Sequence, residues 1–162
     1  MPSKRSSIEM TPQEISDFLA GPRTMNIATI GPTGHPHLVA MWYGFHGGDS
    51  YLTGKMAFWT FGKAQKVLNL RRNPAISAIV EDGTPVYSKL RGVEFEGTGR
   101  IVEDYDEILA LGLATAGRYS GAAATSAEAL PFVEAQARKR IGVVIEVARV
   151  RSWDHSKLGG AY

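Results

Sequence analysis

Five cationic side chains within residues 50–80 are the clearest candidates for binding chemistry in this sequence. They are Lys55, Lys63, Lys66, Arg71 and Arg72, and the segment has no aspartate or glutamate, so its formal charge is +5. The whole chain carries only +2, so the other residues are net acidic. A basic segment on an otherwise acidic protein indicates an anionic small molecule or nucleic acid as partner. The alternative is a solvated basic surface, as most charge runs are.

Lys63 and Lys66 fall in the first turn of a helix predicted over residues 62–72. Free backbone N–H groups and the helix dipole favour an anion at that end, so a phosphate there would meet two lysines and several donors. At 100° per residue the helix has an apolar side and a polar side. The apolar side is predicted to hold Ala64, Val67 and Leu68, and the polar side Gln65, Lys66, Asn69 and Arg72.

Aromatic residues near the basic segment suit a planar ligand. Met41, Trp42 and Tyr43, next to Ala40, can form an apolar wall for a tricyclic ring, or they can be barrel core or dimer contacts. Because strand side chains alternate, Met41 and Tyr43 face away from Trp42, so at least one set is structural. The run Phe58–Phe61, which includes Trp59, is too aromatic for a free loop and fits cofactor contact or dimer packing equally well.

Other chemistry-bearing residues give weaker signals. His35 and His37 have no third ligand at a metal spacing, so no metal site is predicted. The pair Asp154-His155 has no accompanying cysteine or nucleophilic serine motif. The run Gly97-Thr98-Gly99 lacks the strand-to-helix context of a dinucleotide fingerprint and predicts a β-bulge instead.

The elements that position these residues alternate between hairpins and a few helices. A capping box begins a helix at Thr11-Pro12-Gln13-Glu14. Strands are predicted at 24–30, 37–45, 51–54, 75–80, 91–102 and 141–150, with further helices at 104–118 and 130–140. This order predicts a mainly β fold with flanking helices, a six-stranded antiparallel barrel, rather than a doubly wound α/β sheet.

Composition places the chain among single-domain intracellular proteins. The 162 residues, 44% of them hydrophobic, can form one core, and we expect a single domain over 1–162. Residues 1–10 are polar and predicted to be disordered, and residues 151–162 are predicted to form a C-terminal tail. The absence of cysteine, signal peptide and membrane span fits the cytoplasm.

Several short motifs occur in a familiar order: Tyr51-Leu52-Thr53, a basic helix start at Lys66, Leu70, and Asn73-Pro74 opening a strand. From about Pro12 onward the chain resembles the FMN-binding split barrel of the pyridoxamine 5′-phosphate oxidase superfamily. Within it, the chain is most similar to actinobacterial oxidoreductases that use the deazaflavin coenzyme F420. That similarity rests on Trp42, Trp59, Lys63, Lys66, Asn69-Leu70 and the run from Trp153 to Gly160. The resemblance implies a homodimer with two cofactor sites at the subunit interface.

Several residues of this chain differ from those that bind FMN in the oxidases, and these differences affect which cofactor is expected. Where the oxidases carry an arginine and a lysine for the FMN phosphate, this chain has His37 and Trp42. The Arg-Lys pair at their helix start corresponds to Gln65-Lys66, and a glutamine of theirs corresponds to Gly92. Vitamin oxidase activity is therefore not expected. The deazaflavin branch implies a lysine-rich groove for the coenzyme's phosphate and oligoglutamate tail.

Residue patterns and resemblance together predict hydride transfer from reduced F420 to an electron-poor organic substrate. No catalytic base is assigned, since a lysine, an arginine or solvent could protonate the product. The predicted cofactor contacts are Ala40, Met41, Trp42, Thr53, Gly54, Lys55, Trp59, Lys63, Gln65, Lys66 and Arg91. Weaker candidates for substrate contact are Trp153, Lys157 and Tyr162. The alternatives are an FMN-dependent oxidoreductase and a flavin or haem carrier without turnover. Single-stranded nucleic acid binding is disfavoured by the acidic remainder of the chain.

Overall fold

Seven antiparallel strands form one sheet in the computed structural model, which describes residues 5–159. The strands run in the order β2-β1-β5-β6-β7-β4-β3, and four α-helices flank them. The elements are α1 (Pro12–Ala20), β1 (Met25–Ile30), β2 (Pro36–Met41), β3 (Gly44–His46), β4 (Lys55–Phe61), α2 (Gln65–Arg72), β5 (Ala75–Asp82), β6 (Arg91–Val102), α3 (Tyr105–Ser120), α4 (Leu130–Ala137) and β7 (Arg140–Asp154). The predicted class, mainly β with flanking helices in a split barrel, is confirmed.

The predicted strand count of six was one too low, and the third strand was misplaced. The segment predicted at 37–45 divides into β2 and β3. Residues 51–54 form a turn instead of a strand, because the Thr53 hydroxyl accepts hydrogen bonds from the Asp49 and Ser50 N–H groups. The strand follows this turn as β4, where Phe58 is fully buried.

Helix α1 begins as the sequence predicts. Thr11 is the N-cap, its hydroxyl accepts from the Glu14 N–H, and Glu14 in turn accepts from the Thr11 N–H at 2.7 Å. At the other end, Nη2 of Arg118 in α3 donates to the Gly21 carbonyl at 2.7 Å and to the Tyr43 hydroxyl at 2.9 Å. This arginine also donates to the Leu19 carbonyl in the last turn of α1, and so it joins α3 to the end of α1 and to the residue before β3.

Helix α2 is shorter than predicted, and its predicted apolar side is only partly buried, since Val67 is buried as expected but Leu68 is not. It begins at Gln65, with Ala64 as N-cap, so Lys63 lies in the preceding turn. Leu68, predicted on the packed side, is 49% exposed, whereas Asn69 is fully buried. The Asn69 amide donates to the Thr29 hydroxyl of β1 at 3.0 Å, and this bond accounts for the buried asparagine.

The antiparallel pair of long strands β6 and β7 forms the centre of the sheet, although α3 and α4 lie between them in the chain. Its register shifts between Glu96 and Gly97, as expected of a β-bulge, and a Cβ on Gly97 would lie 2.1 Å from the Glu146 carbonyl oxygen. Strand β7 extends to Asp154, so the first part of the predicted tail is strand. The tail continues as a single 3-10 turn over His155–Leu158.

The start of the described chain packs against the end of β7. Residues Ser6–Ile8 form a 3-10 turn, and the backbone N–H of buried Met10 donates to the Ser152 hydroxyl at 2.9 Å. Residues 1–4, also predicted to be disordered, lie outside the described range. Between residues 5 and 159, no helix is both long enough and apolar enough to cross a membrane.

Candidate functional site

A cleft of about 360 Å³ opens where the ends of β2 and β4 approach each other. Four strands separate these two in sheet order, so only the curl of the sheet brings them together. The cleft is completed by α2 and the first residue of β7. Its lining residues are Ala40, Met41, Trp42, Trp59, Thr60, Phe61, Lys66 and Arg140, of which Ala40, Met41, Trp42, Trp59 and Lys66 were predicted cofactor contacts.

Lys66 provides one cation at the cleft. Its ammonium donates to the Thr60 hydroxyl at 3.1 Å, and it forms no ion pair with a carboxylate in residues 5–159. Burial lowers the pKa of this amine below its usual 10.5, since desolvation disfavours the charged form. Holding this charge in a partly buried place therefore destabilises the folded chain, and a bound anion would offset that loss of stability.

Arg140 provides the second cation and was not among the predicted residues. Its guanidinium carbon lies 4.6 Å from the Trp59 ring centroid and 4.5 Å from that of Phe61. Its hydrogen-bond acceptors belong to Gln136, which is neutral, and within the described chain no carboxylate neutralises it. Burial lowers the pKa of the guanidinium too, but an arginine stays charged at neutral pH. From the sequence, Arg140 is predicted at the end of the helix over 130–140, whereas in the structure it is the first residue of β7.

Met41 and Tyr43 are more buried than Trp42, as the alternation of strand side chains predicts. Tyr43 is fully buried, its hydroxyl donates to the Leu19 carbonyl at 3.0 Å, and burial raises its pKa to about 12. Tyr43 is therefore structural. Met41 packs partly against the core, whereas Trp42 is 54% exposed at the cleft.

Tyr119 of α3 holds the Trp42 indole in place. The two rings are stacked, with centroids 4.6 Å apart and planes inclined by 3°. The Tyr119 hydroxyl donates to the Arg23 carbonyl at 2.6 Å and accepts from the Tyr43 N–H at 3.3 Å. Sequence reasoning missed this residue, because the stacking partner lies 77 positions further along the chain.

His37 and Gln65, two positions of interest from the sequence, lie outside the cleft lining. Gln65 donates to the Asn69 side-chain oxygen at 2.8 Å, which extends the polar chain from Thr29. His37 is paired with Thr29 in the β1–β2 register, and its buried Nδ1 has no hydrogen-bond partner within residues 5–159.

Five other predicted cofactor residues also lie elsewhere in the protomer. Lys55 forms an ion pair with Glu146, and Arg91 pairs with Asp82 at 2.7 Å. Lys63 is exposed in the turn before α2, and Thr53 and Gly54 belong to the turn before β4. Their role in cofactor binding stays a prediction.

The predicted substrate contacts lie at the opposite end of β7. Trp153 pairs with Gly92 in the β6–β7 register. The Lys157 ammonium donates to a Glu14 carboxylate oxygen at 2.7 Å and to the Glu9 carbonyl at 2.8 Å. Tyr162 lies outside the described residues. No group of three metal-ligating side chains occurs between residues 5 and 159.

The sheet is curled and antiparallel, helices pack outside it, and a basic, aromatic cleft lies at its open end. These features define a split-barrel protein with a cleft suited to a ligand. The chain belongs to the pyridoxamine 5′-phosphate oxidase family, whose model matches residues 11–154.

Solved structures of similar proteins agree with this assignment. The conserved hypothetical protein Rv2991 from Mycobacterium tuberculosis is 43% identical, with a TM-score of 0.86 over 98% of this chain and 93% of that one. An F420 reductase is 26% identical, with a TM-score of 0.59 over 93% and 98%. The haem storage protein HutZ from Vibrio cholerae shares the fold at 17% identity, with a TM-score of 0.61 over 85% and 91%. A comparison with curated protein sequences finds no significant match.

Proposed function

We propose that this protein is an oxidoreductase that transfers hydride from reduced F420 to an electron-poor organic substrate. The observation that carries the proposal is the pair Lys66 and Arg140. Both are partly buried cations that line one cleft, and neither forms an ion pair with a carboxylate of the described chain. Partly desolvated cations without a partner are costly to keep. A bound anion offsets that cost, so the cleft suits a ligand with an anionic group.

The other walls of the cleft suit a ring attached to that anion. Trp42 and Trp59 offer flat apolar surfaces, and the exposed backbone of Ala40 offers hydrogen-bonding groups along the edge of β2. The N-cap residue of α2, Ala64, has no side-chain acceptor; its carbonyl accepts from the Val67 N–H, which leaves the Gln65 and Lys66 N–H groups for an anion. The residues present therefore fit a planar cofactor with a phosphate.

F420 is favoured over FMN by the distribution of charge. The positions that grip the FMN phosphate in the resembling oxidases are His37 and Trp42 here, and neutral histidine adds no fixed charge. A longer anionic tail can use Lys66, Arg140 and the exposed Lys63 in succession. The similarity to an F420 reductase at 26% identity supports the same choice. When bound, the cofactor supplies the hydride, and the protein supplies orientation and a partly desolvated cleft.

We also propose that two copies of the chain form a homodimer around two such sites. β2 is an edge strand of the sheet, and its Leu38 is 71% exposed. Phe61, at the cleft, is 53% exposed. Exposed apolar side chains along an open edge strand are typical of a surface that a partner covers. In the dimer, Lys55, Arg91 and Trp153 of one subunit would extend the site of the other.

Side-by-side fluorescence titrations with F420 and FMN test the cofactor choice, and absorbance assays with nitroaromatic acceptors test turnover. We expect F420 to bind more tightly, with an affinity that falls as ionic strength rises. FMN binding as tight or tighter would contradict the choice of cofactor. Tight binding of F420, FMN or haem without turnover would show that the protein is a carrier and not an enzyme.

A further inference from the structure

Gln136 and Arg140 connect the end of α4 to the cleft. Gln136 lies in the last turn of α4, and Arg140 is the first residue of β7. Nη1 of Arg140 donates to the Gln136 side-chain oxygen Oε1 and to the Gln136 backbone carbonyl, the latter at 3.3 Å. The carbonyl also accepts from the Lys139 N–H at 3.1 Å, as is usual at the end of a helix. Within residues 5–159, the side-chain oxygen is therefore the acceptor that Arg140 does not share.

Two aromatic rings hold the same guanidinium from another direction. Phe61 is paired with Arg140 in the β4–β7 register, and Trp59 lies two positions away on the same side of β4. The guanidinium carbon is 4.5 Å from the Phe61 ring centroid and 4.6 Å from that of Trp59, within the range of cation–π attraction. The rings therefore set where the guanidinium lies, and Gln136 sets which of its nitrogens faces α4.

The contact with Gln136 leaves one edge of the guanidinium unused. Within residues 5–159, Nε and Nη2 of Arg140 have no hydrogen-bond partner, and neither atom is sealed from solvent. The Nε–H group and one N–H group of Nη2 point in parallel, and this edge of the fork matches two oxygens of a carboxylate or phosphate. Because Nη1 is engaged by Gln136, the edge that a ligand can use is defined before the ligand binds.

Lys66 and Arg140 offer different sets of donors to an anion. Lys66 lies in the first turn of α2, where the Gln65 and Lys66 N–H groups have no acceptor within the described chain. An ammonium beside free helix N–H groups suits a tetrahedral phosphate. Arg140 instead offers a flat edge with two parallel donors, which fits a planar carboxylate.

We propose that Gln136 is a positioning residue, which holds Arg140 so that its Nε–Nη2 edge binds a carboxylate of the ligand. The phosphate of the same ligand is left to Lys66 and the start of α2. F420 has both groups, a phosphate and the carboxylates of its oligoglutamate tail, whereas FMN has only the phosphate. The inference rests on the proposed function for the identity of this ligand, but the orientation of Arg140 is measurable without it. The competing explanation is that Gln136 and Arg140 only complete the end of α4.

The first test uses the full chain without cofactor and follows the arginine Nε–H groups by NMR. Arg140→Lys identifies the Arg140 signal, since that variant lacks it. We expect glutarate, a dicarboxylate, to shift this signal with a Kd of about 1–10 mM, and inorganic phosphate to shift it less. Gln136→Leu should weaken glutarate binding about threefold to tenfold, as the loss of one hydrogen bond predicts. The proposal is overturned if phosphate shifts the Arg140 signal as strongly as glutarate, if glutarate leaves it unmoved, or if both proteins bind glutarate equally.

The second test compares F420 and FMN in two matched glutamine variants. Gln136→Leu removes the acceptor of Nη1, and Gln13→Leu makes the same change at an exposed glutamine of α1, outside the cleft. We expect Gln136→Leu to weaken F420 binding about threefold to tenfold and to leave FMN binding unchanged, while Gln13→Leu changes neither.

Two results of this comparison would contradict a positioning role for Gln136. One is an equal loss of affinity for F420 and FMN, and the other is an unchanged Kd for F420 together with a lowered midpoint of urea unfolding. The second result is the one expected if Gln136 only completes the end of α4. If the native chain binds neither cofactor, the proposed function fails, whereas the glutarate titration still decides the role of Gln136.

Discussion

Trp42 and Tyr119 are stacked almost parallel, with ring planes 3° apart, although they belong to a strand end and a distant helix. Tyr119 is itself fixed by hydrogen bonds to the backbone of Arg23 and Tyr43. The indole that faces the cleft is therefore oriented from behind by α3. Helix α3 also packs against Trp59, since a Cβ on Gly112 would lie 2.6 Å from its ring, so α3 helps to set the shape of the site at two lining residues.

Removing this support should loosen the cleft without altering its charge. A stacked aromatic pair contributes about 0.5–1.5 kcal/mol beyond area burial, so Tyr119→Ala should weaken F420 binding about threefold to tenfold. Tyr119→Phe keeps the ring and should bind nearly as the native chain does. Fluorescence titration measures both affinities, and equal losses in the two variants would show that the hydroxyl matters rather than the stacking.

Lys66→Ala and Arg140→Ala should each weaken F420 binding by about tenfold or more, since hydrogen bonds to charged groups contribute about 1.5–3 kcal/mol. Each substitution should also flatten the dependence of the Kd on salt, because one screened charge is gone. Lys139→Ala is the control, as it removes an exposed neighbouring cation outside the cleft. An unchanged Kd for both variants at low salt would place the anion elsewhere.

The pH dependence of binding should follow Lys66. Because burial lowers its pKa below 10.5, the amine loses its charge at a lower pH in the folded chain than in the unfolded one. Anion affinity should therefore fall as pH rises through the lowered pKa, in the range below 10.5. Stability rises across the same interval, since the unfolded chain binds the extra proton. Lys66→Arg, which stays charged, should abolish the fall in affinity, and titrations at several pH values decide this.

The hydrogen bond between Asn69 and Thr29 should be important for stability because both residues are fully buried. Thr29→Val leaves the asparagine amide without its partner, at a cost of about 1–3 kcal/mol, and Asn69→Leu similarly isolates the hydroxyl. The double variant removes both groups, so its loss should be smaller than the sum of the single losses. Urea unfolding measures all four proteins, and strictly additive losses would argue against a direct bond.

Self-association should depend on the exposed apolar residues beside the cleft. We expect light scattering to show a dimer at about 10 µM, and the double variant Leu38→Glu/Phe61→Glu to be monomeric, since two charges cannot be buried without partners. Leu52→Glu is the matched control, because Leu52 is as exposed as Phe61 but lies in the turn before β4. A native monomer would exclude a site shared between subunits.

The sequence by itself determined the features that depend on neighbours along the chain. The capping box places the start of α1, and the bounds of β6 agree with the predicted 91–102. The sequence also showed the concentration of positive charge in residues 50–80. It further predicted, by strand alternation, that Tyr43 and Trp42 face opposite sides. These signals are local, because capping, turn formation and alternation each involve residues a few positions apart.

Only the tertiary structure decided which of these residues meet. Lys55 and Lys66 belong to the same basic segment, yet Lys55 pairs with Glu146 while Lys66 lines the cleft beside Arg140. The burial of Asn69, on the side of α2 predicted to be polar, depends on its bond to Thr29, which no helical periodicity encodes. The physical reason is that the curl of the sheet and the strand register set these contacts, and both depend on pairings across the whole chain.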